Sequence, residues 1–142
     1  MINAYYFYKI SHELYKLKIP VLPKLFKLFC FMIYNCSIPY QCKIGKHSKF
    51  GYGGIGVVLH KRAEIGNRCT IGTNVTIGGK SGEINVPKIG DNVYIATGAK
   101  ILGDVKVGNN AIIGANAVVL KDVPENAVVG GIPAKILSFK NE

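Results

Sequence analysis

From residue 65 onward the chain repeats itself every six residues. The positions Ile65, Ile71, Ile77, Ile89, Ile95, Ile101, Val107, Ile113 and Val119 are all apolar, and Glu83 is the one break in the series. Glycine usually follows the anchor, as at Gly66, Gly72, Gly78, Gly90, Gly108 and Gly114. Four residues after an anchor comes a small or β-branched residue, among them Val75, Val93, Ala99, Val105, Ala111, Ala117 and Val123. A period of six fits neither the 3.6 of a helix nor the 2 of a strand. It predicts a β-helix in which each short strand ends in a turn. Three hexapeptides would close a triangular coil of about 18 residues, and coils would stack at roughly 4.8 Å. The anchors would then point into a narrow prism. The glycines after them, with Asn67, Asn74, Asn92 and Asn109, are expected in turns that need φ > 0.

The lattice is irregular at two places, and only the first shifts its phase. Ile38, Ile44 and Phe50 keep the spacing, but Leu59 comes nine residues after Phe50, so three extra residues sit around Gly51-Tyr52-Gly53-Gly54-Ile55-Gly56. A glycine-dense insertion predicts a bulge or a close backbone approach. Between Ile77 and Ile89, the run Gly78-Gly79-Lys80-Ser81-Gly82-Glu83-Ile84-Asn85-Val86-Pro87 predicts a loop leaving the prism edge, and such loops tend to carry function.

Residues 1–36 lack the period. Residues 1–18 read as an amphipathic helix with Tyr5, Tyr8, Ile10, Leu14, Tyr15 and Leu17 on its apolar side. A second, very apolar helix is expected over 23–34, opened by Pro23. It is shorter than the roughly 20 residues a bilayer requires. It would cap the open end of the coil or pack on a neighbouring subunit; lysines among its aromatics also suit a membrane surface. The expected division is a helical arm over 1–36, a β-helix over 37–137 whose residues 127–136 close its C-terminal end, and a frayed tail over 138–142.

The formal charge of +10 favours anionic partners such as phosphorylated cofactors or an anionic membrane. The basic residues are dispersed and match no recognised nucleic-acid module, so nucleic acid is not an expected partner. Cys30, Cys36, Cys42 and Cys69 show no CxxC spacing. Buried or free thiols in a reducing cytoplasm are expected, without a disulfide framework. No signal peptide is read, because Lys9 is the first basic residue and follows an aromatic cluster. The expected location is the cytoplasm, with peripheral contact at the inner membrane surface through residues 1–36.

Chemistry centres on the histidines. His12 lies on the first helix and reads as a surface residue; His47 reads as a turn residue. His60 stands beside the phase slip, and Gly78 follows 18 residues later, so the imidazole should stack at the entrance of the Gly78-Gly79 loop. A neutral histidine there could take a proton from an alcohol. Glu64 and Glu83 are candidate orienting carboxylates. The spacing 12, 47, 60 places one histidine on a different element, so no metal is expected.

The stretches Ile71-Gly-Thr-Asn-Val-Thr-Ile-Gly-Gly79, Pro87-Lys-Ile-Gly90, Gly98-Ala-Lys-Ile-Leu-Gly103, Ile113-Gly-Ala-Asn-Ala-Val-Val119 and Gly131-Ile-Pro-Ala-Lys-Ile136 resemble the catalytic half of serine acetyltransferases and, more broadly, the hexapeptide-repeat acyltransferases. The resemblance covers about residues 38–137. It implies a mainly β fold, a left-handed parallel β-helix of hexapeptide repeats with a short N-terminal helical arm. It further implies a homotrimer with active sites between subunits, acetyl-CoA as acyl donor and a histidine as general base. By motif match Gly78, Gly79, Thr97 and Ala115 would bind the pantetheine arm, and Lys100, Lys121 and Lys135 the CoA phosphates. The family's main catalytic histidine aligns with Gly53, and its second with Val86, so His60 is expected to serve from a shifted position with Glu64 beside it. The family's long helical N-terminal domain corresponds to about 36 residues here. The basic, aromatic arm resembles that of short sugar and capsule O-acetyltransferases. The expected activity is therefore acetyl transfer to a small-molecule or sugar hydroxyl, a polysaccharide building block before free serine. Serine acetylation, a non-catalytic trimeric scaffold and a membrane-surface adaptor are the alternatives.

Overall fold

Three short sheets, parallel except for the last strand of one, form the walls of a triangular prism of about four coils in the computed structural model, which describes residues 2–141. Met1 and Glu142, assigned above to the arm and the tail, lie outside the described residues. The chain opens with α1 (Ala4–Lys16) and α2 (Leu22–Tyr34). The first wall holds β1 (Lys43–Ile44), β4 (Glu64–Ile65), β7 (Lys88–Ile89) and β10 (Lys106–Val107). The second holds β2 (Lys49–Phe50), β5 (Thr70–Ile71), β8 (Tyr94–Ile95), β11 (Ile112–Ile113), β13 (Ala127–Gly130) and β14 (Lys135–Phe139). The third holds β3 (Val58–Leu59), β6 (Thr76–Gly78), β9 (Lys100–Leu102) and β12 (Val118–Val119).

Anchors stack on anchors: Ile95 pairs with Ile113 and Ile101 with Val119, one 18-residue coil apart. Ile71, Ile77, Ile95, Ile101 and Ile113 have no exposed surface. Burying such a side chain contributes roughly 1.5–3 kcal/mol, so the axial column alone outweighs any surface interaction. Both irregularities appear as longer coils. Phe50 pairs with Ile71, a coil of 21 residues, and Ile71 with Ile95, a coil of 24. The first break is a tight turn over Gly51–Gly54. The second is the loop 79–87, and Glu83 within it occupies no wall.

The glycines after the anchors serve a purpose other than the one expected. Gly66, Gly72, Gly90 and Gly108 are not among the positive-φ residues. They are there because successive coils press together at the corners. A Cβ on Gly45 would come within 2.5 Å of the Gly66 carbonyl, one on Gly72 within 2.6 Å of Thr97 N, and one on Gly108 within 2.5 Å of Glu125 N. The left-handed turn residues sit elsewhere. His47, Arg68, Asn92, Asn110 and Asn126 form one corner column, and Gly56, Asn74, Gly98 and Asn116 another. Asn67 and Asn109 instead receive neighbouring N–H groups on their side-chain oxygens, from Lys46 at 2.8 Å and Asp91 at 2.7 Å. That ladder satisfies donors the coil would otherwise leave bare.

The arm closes the N-terminal end. Asn3 caps α1 by accepting from Tyr5 N–H, and its amide donates to Phe50 O at 2.7 Å. Tyr8 OH donates to Cys42 O at 2.7 Å. The buried side of α1 is Ala4, Tyr8 and Ser11, while Ile10, Tyr15 and Leu17 from the expected apolar side are exposed. Pro23 opens α2 and Asn35 ends it in the left-handed conformation. His12 is not a free surface group: Nδ1–H donates to Tyr40 O at 2.7 Å and the ring stacks on Tyr8. Gly53 and Gly54 explain the insertion, since a Cβ there would strike the Tyr34 ring and the Ala4 methyl. All four cysteines are buried and unpaired.

The tail reading needs correction. After the turn at 131–134, β14 returns antiparallel to β13, pairing Ser138 with Val128 and Phe139 with Ala127. Lys140 N–H then donates to Asn126 O at 2.8 Å. Residues 138–140 are therefore held by the sheet, because the reversed strand extends the second wall. Val118 N–H donates to Gly131 O and Ala134 N–H to Val118 O, so the turn also covers the end of β12.

The corner contacts predict a contrast. Gly66→Ala should cost about 2–4 kcal/mol, as steric strain against backbone does. Gly78→Ala should cost under about 0.5 kcal/mol, because a Cβ there meets nothing nearer than Leu102 Cδ2 at 3.6 Å. Denaturant unfolding of the two variants measures the difference.

Candidate functional site

Two corners of the prism carry the left-handed columns just described. The third, between the third wall and the first, does not follow that scheme. It runs through residues 60–63, the loop 79–87, 103–105 and 120–122. Here no continuous left-handed column forms, although Gly82 and Gly103 have positive φ, and here Gly78 and Gly79 are not crowded by packing. A Cβ on Gly79 would meet only Val86, at 3.7 Å.

His60 opens this corner. Leu59 pairs with Ile77, and His60 N–H donates to Ile77 O at 2.8 Å, which sets the imidazole in the coil just before Gly78. Gly78 in turn registers with Leu102, and Leu120 lies one coil beyond. The column is thus an imidazole, a glycine notch and two leucines. The half-buried ring accepts a hydrogen bond at Nδ1 from Arg62 N–H, at 3.1 Å. A nitrogen that accepts cannot also hold a proton, so this bond favours the neutral ring. Its pKa lies below the ordinary histidine value, through burial first and then the positive charges of Arg62 and Lys61. In this arrangement the proton of the neutral ring sits on Nε2.

Arg62 also ties down the loop, its Nη2 donating to Ile84 O at 2.6 Å. Glu83 holds the other side by accepting from Asp104 N–H at 2.7 Å and pairing with Lys80 at 3.2 Å. Those two contacts hold its carboxyl below the usual range, the Asp104 N–H first. Gly103 has a φ of +89°, which disfavours any side chain there, and a Cβ would also displace the Glu83 carboxylate. Glu83 is therefore a loop anchor and makes no hydrogen bond to His60. Nor does Glu64: it sits on the first wall between Lys43 and Lys88 and pairs with Lys43 at 3.5 Å. Its outward direction on that wall separates it from the imidazole.

The remaining expected site residues divide between the edges of the third wall. Gly78, Gly79 and Lys121 share the His60 corner. Thr97 and Ala115 are exposed on the opposite corner, where Thr97 Oγ1 lies 2.7 Å from Thr73 Oγ1. Lys100 stands on the wall between them, its amine donating to Asn74 O at 2.5 Å. Lys135 is exposed at the start of β14, paired with Gly130 where the second wall ends beside β12. One chain therefore does not gather this set around one point.

Beside the loop lies a cavity of about 440 Å³ lined by Arg62, Glu64, Lys88, Asp104, Lys106 and Asp122, with Asn85 and Val86. Its charges balance three against three. Arg62, Asp104 and Asp122 escaped the sequence reading, although 104 and 122 lie one 18-residue coil apart and that spacing stacks them. Among the described residues no group of histidine, cysteine and carboxylate side chains could hold a metal ion.

Comparison with known proteins agrees with this geometry. Residues 87–121 match the family model "Bacterial transferase hexapeptide (six repeats)". A serine acetyltransferase solved in complex with CoA is 36% identical, with a TM-score of 0.85 over 94% of this chain and 55% of that one. The serine acetyltransferase of Neisseria gonorrhoeae is 33% identical, with a TM-score of 0.89 over 98% and 55%. That of Brucella abortus strain S19, solved with coenzyme A, is 31% identical, with a TM-score of 0.91 over 97% and 56%. A comparison with curated proteins gives no match. With its six-residue period and stacked coils, the chain carries the bacterial transferase hexapeptide repeat over residues 87–121 and shares the fold of the serine acetyltransferases. It spans about half the length of those it matches.

The clamp on the loop is testable. Arg62→Ala should leave the prism intact and speed amide exchange in residues 80–87 by about tenfold or more, read by hydrogen–deuterium exchange. Unchanged protection would show that Glu83 alone holds the loop.

Proposed function

We propose that this protein is an acetyl-CoA-dependent O-acetyltransferase that moves an acetyl group to a hydroxyl of a small molecule or sugar, with His60 as general base. The observation that carries the reading is the stacking of His60 before Gly78 and Gly79, at the corner where the fold leaves glycine backbone unfilled. The acceptor oxygen would attack the thioester carbonyl carbon as His60 takes its proton. The C–O bond forms, the C–S bond breaks, and the imidazolium returns the proton to the departing thiolate. Acting at Nε2 requires the ring to release Arg62 N–H and carry its proton on Nδ1. Acting at Nδ1 requires only that the acceptor displace that N–H.

The division of the expected binding residues between two corners supports a homotrimer in which the corner of one subunit faces that of the next. His60, Gly78, Gly79 and Lys121 of one protomer would then meet Thr97, Ala115 and Lys100 of its neighbour along one groove. Glu64 falls outside this arrangement. The relatives solved with CoA support the donor. Polysaccharide building blocks remain the favoured acceptor, on the character of the basic, aromatic arm. Serine is the second reading, favoured by the Neisseria gonorrhoeae relative solved in complex with serine. The proposed location is the cytoplasm.

His60→Ala should lower acetyl-CoA-dependent release of CoA to a sugar or serine acceptor by about 10²-fold or more while the unfolding midpoint holds. Full activity in that variant would remove His60 from the chemistry. The base must be neutral and its pKa is depressed, so the wild-type rate should be lost only as pH falls below the ordinary histidine value of about 6.5. Lys61→Ala removes one of the charges responsible, and the acid limb of its pH–rate profile should move upward.

A further inference from the structure

The outer side of α2 has no covering. Pro23, Cys30 and Tyr34 turn inward. Opposite them lie Leu25, Leu28, Phe29 and Met32, with Leu22 and Ile33 along one border, and all are exposed, Met32 to 70%. Together they make one continuous stripe on the helix. Lys24 and Lys27 stand along one edge of it with exposed Phe31 between them, and Lys16 and Lys18 stand at the turn leading into it. In residues 2–36 the one acid is Glu13, already paired with Lys16 at 3.0 Å.

We propose that this face is a docking surface for an anionic lipid bilayer, with α2 lying in the plane of the interface. Charge complementarity selects the occupant. An apolar stripe edged by lysines matches acyl chains beneath anionic headgroups. A second copy of α2 would set the same lysines against one another, with no acid to offset them. The helix has 13 residues, and no helix among the described residues is long and apolar enough to cross a membrane, so it lies on the surface. The coil is tied to the inner side of the arm through Tyr8 and Tyr34, and docking would hold the prism against the bilayer. The inference is independent of acetyl transfer.

Co-sedimentation of the full chain with phosphatidylcholine vesicles, with and without phosphatidylglycerol, tests it alongside sedimentation velocity of the free protein. Binding should require phosphatidylglycerol and fall as salt rises. Lys24→Glu with Lys27→Glu should weaken it by at least about tenfold. Leu25→Glu with Met32→Glu should abolish it, and because both side chains are exposed the unfolding midpoint should hold. No binding to anionic vesicles overturns the proposal. It is equally overturned if the Leu25/Met32 variant halves the mass of the free assembly, which would assign the face to a second copy. A variant that loses its fold is replaced by Leu28→Ser with Ile33→Ser, judged by the same outcomes.

Discussion

Everything in this molecule depends on how near one coil can come to the next. Parallel backbone bonds set the coil separation along the walls, but at the corners the chain must turn without pushing its neighbours apart. Gly45, Gly66, Gly72, Gly90 and Gly108 meet that demand by having no side chain. Because the corners close, the isoleucine and valine columns can stack in register. The hydrophobic column supplies the free energy; the glycines allow it to be collected.

The same constraint defines the site by exception. Where a glycine is needed for packing, its surroundings are crowded with backbone. Gly78 and Gly79 have no such neighbours, so the fold does not account for them. Their corner also lacks the continuous left-handed column of the other two, keeping only Gly82 and Gly103 with positive φ, and carries the longest excursion from the walls. Arg62 links the features there: its N–H engages the imidazole and its guanidinium engages the loop. A change in the loop is therefore transmitted to the ring within one residue's reach.

The period made the prism, the two insertions and the His60–Gly78 alignment readable, because in a stacked coil the distance along the chain states which residues lie above one another. It was silent on contacts that run sideways. The period marks which residues face inward, and so it could not distinguish a glycine needed for a positive φ from one needed for close approach. It placed Glu64 near His60 in the chain but not on a separate wall, where Lys43 holds it. His12 was missed as a tether, and the return of β14 was taken for fraying. In each case the partner lies outside the six-residue lattice, on a helix or on a reversed strand.

The two ends of the prism also bear on how these molecules behave together. A stack of parallel coils has no intrinsic length, and an open final coil would offer its bonds to the next molecule, the arrangement by which fibres grow. Here α1 lies across the first coil, the 131–134 turn consumes the outward groups of β12, and β14 reverses direction. The repeat is thereby brought to a halt at both poles, and a motif that could propagate indefinitely stays a discrete particle.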